Sequence, residues 1–190
     1  MWVFGHLGFG AKLASPLSRK LPFGWLLLGT LLPDLIDKPL YYALYFTTGR
    51  HGADLGLISC TRTFGHSSLL ILALSLSAYF RRSRVLAAIT LGMATHLMLD
   101  GFQDYWIYRV LQHEGESSLL LAALYPLYEG RFGVMPYGTM GEHLKAIGDP
   151  FLIVTEVLGL SVLGWEIWKK KWPKKGFRSE LFSRRSKVGR

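Results

Sequence analysis

Histidines and aspartates lie inside or at the edges of apolar stretches in this chain, and that placement constrains its fold more than any other feature. Thr95-His96-Leu97-Met98-Leu99-Asp100 closes the stretch Val85–Leu99, which contains no Asp, Glu, Lys or Arg. Leu32-Pro33-Asp34-Leu35-Ile36-Asp37 joins two further apolar stretches, Phe23–Leu32 and Leu35–Phe46. A lone charge in apolar surroundings is costly, so such groups pair with one another or hold a cation. The chain must therefore fold so that these side chains meet.

Two more apolar stretches, Ser67–Phe80 and Phe151–Trp168, bring the total to five. No segment alternates apolar and polar residues as a half-buried strand does, so the expected class is all-α. Half the residues are hydrophobic and 14% aromatic, ordinary for a small membrane protein. No stretch reaches the 18 uncharged apolar residues of an unambiguous span. The expected architecture is a membrane-embedded bundle of about four to five apolar helices. A loop-rich segment, 103–148, would lie over one end, with Ser117–Tyr125 as a short helix. A soluble helical bundle is the alternative.

The charge is concentrated at one end of the chain. The formal net charge is +9, and the tail from Lys169 to Arg190 accounts for all of it; the first 168 residues balance to zero. The expected organisation is thus an embedded domain, 1–168, and a basic tail, 169–190. A polybasic tail directly after an apolar helix suits the cytoplasmic surface of a membrane and anionic lipid better than nucleic acid. Trp165, Trp168 and Trp172 beside it suit an interfacial belt. Arg81-Arg82-Ser83-Arg84 forms a basic turn between two apolar helices, and the positive-inside rule places it on the tail's side. His66 and His96 then lie toward the opposite end. Cys60 is the only cysteine, which excludes disulfides and any zinc site with two thiolates. The N-terminal stretch lacks the pattern of a secretory signal and is expected to be retained, with His6 in it.

Four motifs carry candidate chemistry. Asp34 and Asp37, at i and i+3, share a helical face. They suit a metal, or a helix start capped by acids just after Pro33. His96 and Asp100, at i and i+4, converge in the same way, as two metal ligands or as a hydrogen-bonded pair locking a helix end. His66 follows Arg62-Thr63-Phe64-Gly65 and precedes Ser67, a plausible N-cap. A helix N-terminus keeps an imidazole neutral, as a ligand must be. Arg62 suits an anionic substrate group or an aspartate. His6, in an apolar setting, is either packed or a fourth element of the set. His51, His113 and His143 lie in polar, Gly-rich surroundings and read as loop residues, while Glu156 is a carboxylate within an apolar helix.

Taken in order, His6, Leu32-Pro33-Asp34-x-x-Asp37, Arg62-x-x-x-His66-Ser67 and His96-x-x-x-Asp100 resemble the YdjM-like family of bacterial inner-membrane proteins, described as membrane-bound metal-dependent hydrolases. Ala123-Leu124-Tyr125-Pro126-Leu127-Tyr128 followed by Arg131-Phe132 extends the likeness over about residues 1–135. Thr61 stands where the family often has a histidine, Thr63 where it has glycine, and Gly65 where it has threonine. Zinc-dependent phospholipases C are a remoter analogy. The resemblance implies a bacterial inner-membrane hydrolase acting on an ester or phosphoester, possible substrates including lipid-linked ones. His6, Asp34, His66, His96 and Asp100 would hold the metal, with Asp37 and Arg62 as catalytic partners. Imidazole and carboxylate without thiolate suit zinc, with manganese or iron as alternatives. Asp37 would bridge the metal, orient a histidine or take a proton. The rivals are a scaffold whose ion pairs or structural metal only fix helix packing, and a small transporter.

Overall fold

The computed structural model describes residues 2–50, 62, 64–106 and 148–171, with only the backbone of Asp104 and Lys171. All regular structure among these residues is helical: α1 (Val3–Ala14), α2 (Phe23–Thr48), α3 (Ser68–Phe80), α4 (Arg84–Tyr105) and α5 (Pro150–Lys171). The all-α expectation holds. The expected helix at Ser117–Tyr125, nearly all of the loop-rich segment, the loop histidines and the tail beyond Lys171 lie outside the described residues.

Two local expectations change. The sequence suggested a boundary at Pro33, because proline lacks the N–H that closes a helical turn. Instead α2 runs for 26 residues through both Pro33 and Pro39. Packing overrides the local preference: α2 lies against α4 so closely that a Cβ on Gly29 would fall 2.3 Å from the Ile89 carbonyl oxygen, and one on Gly92 2.4 Å from that of Leu26. Two apolar stretches therefore make one helix. The N-terminal stretch supplies the additional helix, α1, whose Gly8 crosses Gly159 of α5 still more closely, a Cβ there falling 1.9 Å from the Gly159 carbonyl oxygen. Small residues at helix crossings are the usual means of close approach in a membrane.

The ends of the helices follow their sequence signals. Ser67 caps α3 by accepting from Leu69 N–H at 3.2 Å, and Ser83 caps α4 by accepting from Leu86 N–H at 3.3 Å. At α5, Asp149 accepts from Phe151 N–H at 2.8 Å, with Pro150 as the first helical residue. The end of α1, the start of α2, the α3–α4 turn and the end of α5 share one end of the bundle. Lys12 reaches Glu166 at 3.7 Å, and Lys170 lies over the Phe23 ring at 4.3 Å. A small apolar core of Ala14, Leu26 and Ala88 packs nearby.

Two helices are long and apolar enough to cross a membrane, over Arg84–Gln103 and Pro150–Lys170; α3 is a shorter apolar helix. The α5 segment leaves Val154, Val157, Leu158, Leu160, Trp165 and Trp168 exposed. So broad an apolar face suits lipid rather than water.

Candidate metal centre

The end of the bundle away from the basic turn gathers five of the sequence candidates from four elements. His6 comes from α1, Asp34 from α2, His66 from the turn before α3, and His96 and Asp100 from α4. His6, His66, His96 and Asp100 are buried, and Asp34 is partly open. Helical spacing explains part of this: His96 and Asp100 stand one turn apart, with His96 Nε2 3.6 Å from Asp100 Oδ2.

Two of the imidazoles are held so that their lone pairs point inward. His96 Nδ1 lies 2.7 Å from the Thr30 carbonyl oxygen, which can only accept, so Nδ1 donates. His66 Nδ1 donates to Asp37 Oδ2 at 2.7 Å, while Asp37 Oδ1 accepts from Gly65 N–H at 2.8 Å. In the neutral rings both Nε2 atoms are then acceptors, and they face each other at 3.2 Å. Two lone pairs at that distance repel unless a cation or a proton lies between them. Asp100 Oδ2 is 3.4 Å from His66 Nε2, and Asp34 Oδ1 is 3.9 Å and 4.0 Å from the Nε2 atoms of His66 and His96. Ligands on a tetrahedral zinc stand about 3.3 Å apart, since each lies about 2.0 Å from the ion. These donors approach that spacing, so the residues present fit a divalent ion.

The charge balance also calls for positive charge in the cluster, which a cation or a proton can supply. Asp34, Asp37 and Asp100 bring three carboxylates, while Lys38 pairs with Asp34 at 2.5 Å and Arg62 with Asp100 at 3.2 Å. With neutral histidines the cluster is one positive charge short. Burial opposes a charge on His66, but hydrogen bonds with Asp100 and Asp37 outweigh it and raise its pKa above the usual imidazole value, so without a metal the ring favours a proton, contrary to the neutral ring expected at a helix start.

His6 differs from the other two histidines. Its Nε2 is 3.4 Å from Asp100 Oδ1, and its ring stacks on His96 with centroids 3.9 Å apart. Its Nδ1 is buried with no hydrogen-bond partner among the described residues. Its ring is thus placed by the stack on His96 and the Asp100 contact through Nε2, with no partner behind Nδ1 among the described residues. Two ligand groups form, His6–His96–Asp100 and Asp34–His66–His96. Both use His96, whose Nδ1 is committed to Thr30, leaving one lone pair for one ion. The two groups therefore cannot each hold an ion at the same time.

Glu156 could bond a polar partner or act as a dipole acid near its own helix start, by sequence alone. It serves the start of a different helix. Its Oε1 accepts from Trp2 N–H at 3.0 Å and Gly5 N–H at 2.9 Å, and its Oε2 from Phe4 N–H at 2.8 Å. α1 has no capping side chain of its own, so Glu156 closes the helix that carries His6. The Thr30 carbonyl was not foreseen either, because a backbone group leaves no signal in the sequence. Arg62 adopts the aspartate pairing, and Asp37 takes the position of a residue that orients a histidine.

The family model for the YdjM inner membrane protein matches residues 1–142, which include all five clustered residues together with Asp37 and Arg62. No curated protein and no solved structure matches the chain.

Proposed function

The chain belongs to the YdjM inner membrane protein family, and on that premise we propose that it is a membrane-embedded, metal-dependent hydrolase of esters or phosphoesters. The observation that carries this reading is the opposition of the His66 and His96 Nε2 atoms at 3.2 Å, with Asp34 and Asp100 beside them. His66, His96, Asp34 and Asp100 would hold the ion, with His6 completing the shell through Nε2. Zinc suits this donor set best, with manganese or iron as alternatives. When bound, such an ion supplies Lewis acidity and lowers the pKa of a water ligand.

The remaining residues set up that chemistry. Asp37 fixes the tautomer and plane of His66, and the Thr30 carbonyl does the same for His96. Lys38 holds Asp34 Oδ2 and leaves Oδ1 toward the two Nε2 atoms, whereas Arg62 shares Asp100 Oδ2 with them and leaves Oδ1 beside His6 Nε2. Asp34 is the most open of the five, with 20% of its side chain exposed, so a substrate reaches the site past it. A proton released there has Asp34 or Asp100 within reach. The substrate class, an amphiphilic ester, follows from the membrane setting. By the positive-inside rule the basic end and the tail 169–190 face the cytoplasm, and the centre faces the opposite surface.

A second reading rests on the same ion pairs. Lys38 and Arg62 already neutralise two ligand carboxylates, as they would in a scaffold whose network only fixes helix packing. Metal analysis separates a metal site from a network of ion pairs alone, and turnover then separates the hydrolase from a scaffold with a structural metal. Hydrolase function predicts about one divalent ion per purified chain, because His96 offers a single lone pair. Sub-stoichiometric metal that is unchanged in Asp34→Ala would leave only the scaffold. Asp37→Asn is expected to weaken metal affinity by about 10- to 100-fold, the usual effect of losing a partner behind a ligand. Competition with a zinc chelator measures it, and an unshifted curve would remove Asp37 from its orienting role. Turnover of a synthetic phosphodiester by the loaded wild type is the direct check on hydrolysis; metal without turnover favours the scaffold.

A further inference from the structure

The end of the bundle opposite the metal centre carries a second constellation. A groove of about 530 Å³ lies beside the α3–α4 turn, lined by Arg82, Ser83 and Arg84 and by the apolar Leu21, Tyr79 and Phe80. Bases cluster on this end. Lys12 and Lys169 share Glu166, at 3.7 Å and 2.7 Å. Among the described residues no carboxylate pairs with Arg82 or Arg84.

The backbone of the turn singles out Arg82. Ser83 N–H donates to the Ala78 carbonyl and Arg82 N–H to that of Tyr79, the pair of bonds that ends a helix with its next residue left-handed. Arg82 occupies that residue with φ of 49°. Glycine is usual there because it meets no steric cost. Among the described residues Arg82 is the only non-glycine with positive φ. A long cationic side chain therefore stands in the groove where the backbone alone would favour none. Strain of this kind is a pointer to function.

We propose that this groove binds the phosphate headgroup of an anionic phospholipid. Arg82 and Arg84 would hold the phosphate through paired guanidinium hydrogen bonds. Tyr79 and Phe80, both largely exposed on a helix end, would lie against the glycerol and upper acyl chain. Charge complementarity and the membrane setting select a lipid as the occupant, since basic pockets between membrane helices suit anionic headgroups. The site is separate from the metal centre and needs no metal.

The test uses the full-length protein in detergent micelles, titrated with phosphatidylglycerol or phosphatidylcholine and followed by native mass spectrometry and thermal melting. Wild type is expected to retain phosphatidylglycerol over phosphatidylcholine. Arg82→Gly and Arg84→Gln should each weaken that retention about fivefold, the effect of one base near a membrane surface. Arg82→Gly should melt no lower than wild type without lipid, because glycine relieves the turn; this separates a lost ligand from a lost fold. Unchanged phosphatidylglycerol retention in the double variant would overturn the proposal. An equal loss on Arg184→Gln with Arg185→Gln would also overturn it, since total charge rather than the groove would then hold the lipid. Inorganic phosphate raising the melting temperature as much as phosphatidylglycerol at matched concentration would refute the lipid as occupant.

Discussion

Purified His96→Ala protein is expected to bind the proposed divalent ion more than ~100-fold more weakly than wild type, beyond the effect of removing a partner behind a ligand. His96 belongs to both ligand groups, so its removal breaks both at once. It also leaves the Thr30 carbonyl without its imidazole donor and His6 without its stacking partner. The measurement is metal content after dialysis, together with a melting curve. Because a buried histidine also fills space, Asp34→Ala is the companion variant: Asp34 is partly open, and its loss should reduce metal binding without collapsing the bundle. Full metal in both variants would show that the cluster is an ion-pair network. The added stability from bound metal, about 2.7 kcal/mol at a free concentration one hundred times the dissociation constant, should vanish with the metal.

Gly29→Leu is expected to be strongly damaging although it lies outside the His/Asp cluster. A Cβ at residue 29 would lie 2.3 Å from the Ile89 carbonyl oxygen and 2.8 Å from its Cα, and backbone atoms cannot rotate away as a side chain does. The helices must part. α2 carries Asp34 and Asp37, and α4 carries His96 and Asp100, so parting them separates the ligands. Forced overpacking costs about 1–3 kcal/mol and occasionally more. A backbone clash belongs at the upper end of that range. Even Gly29→Ala should lower the melting temperature and weaken metal binding. Gly24→Ala is the matched control on the same helix, since a Cβ there meets nothing within 4 Å. Removing a helical glycine is ordinarily favourable by up to about 1 kcal/mol, so Gly24→Ala should melt at or above wild type. Equal effects at residues 24 and 29 would show that the close crossing does not hold the site together.

The i,i+4 spacing of His96 and Asp100 needed only a helix to bring the two side chains onto one face. Ser67 was readable as a cap because capping is settled within a few residues, and Ser83 of the basic turn caps α4 by the same local rule. The polarity of the bundle was also local information: Arg81–Arg84 and the bases after Trp168 mark one end, and the His/Asp motifs mark the other. Pro33 misled for the same reason. Its effect on an isolated helix is a break, whereas here α2 continues through it while packed closely against α4 and the Gly65 turn.

The sequence by itself determined the apolar helices of the described residues and the identity of the residues that gather at one end, because residue type and helical period are properties of neighbours. The tertiary structure alone decided their roles. It set Asp37 behind His66, turned the His96 lone pair inward through a backbone carbonyl, paired Arg62 with Asp100, and sent Glu156 across more than 150 residues to close the helix bearing His6. Each of those is a contact between distant segments, fixed by the direction of a donor or a lone pair, and neither spacing nor composition encodes direction. The apolar stretches with buried histidines and aspartates thus required the ionisable groups to meet, and the close glycine crossings determined how.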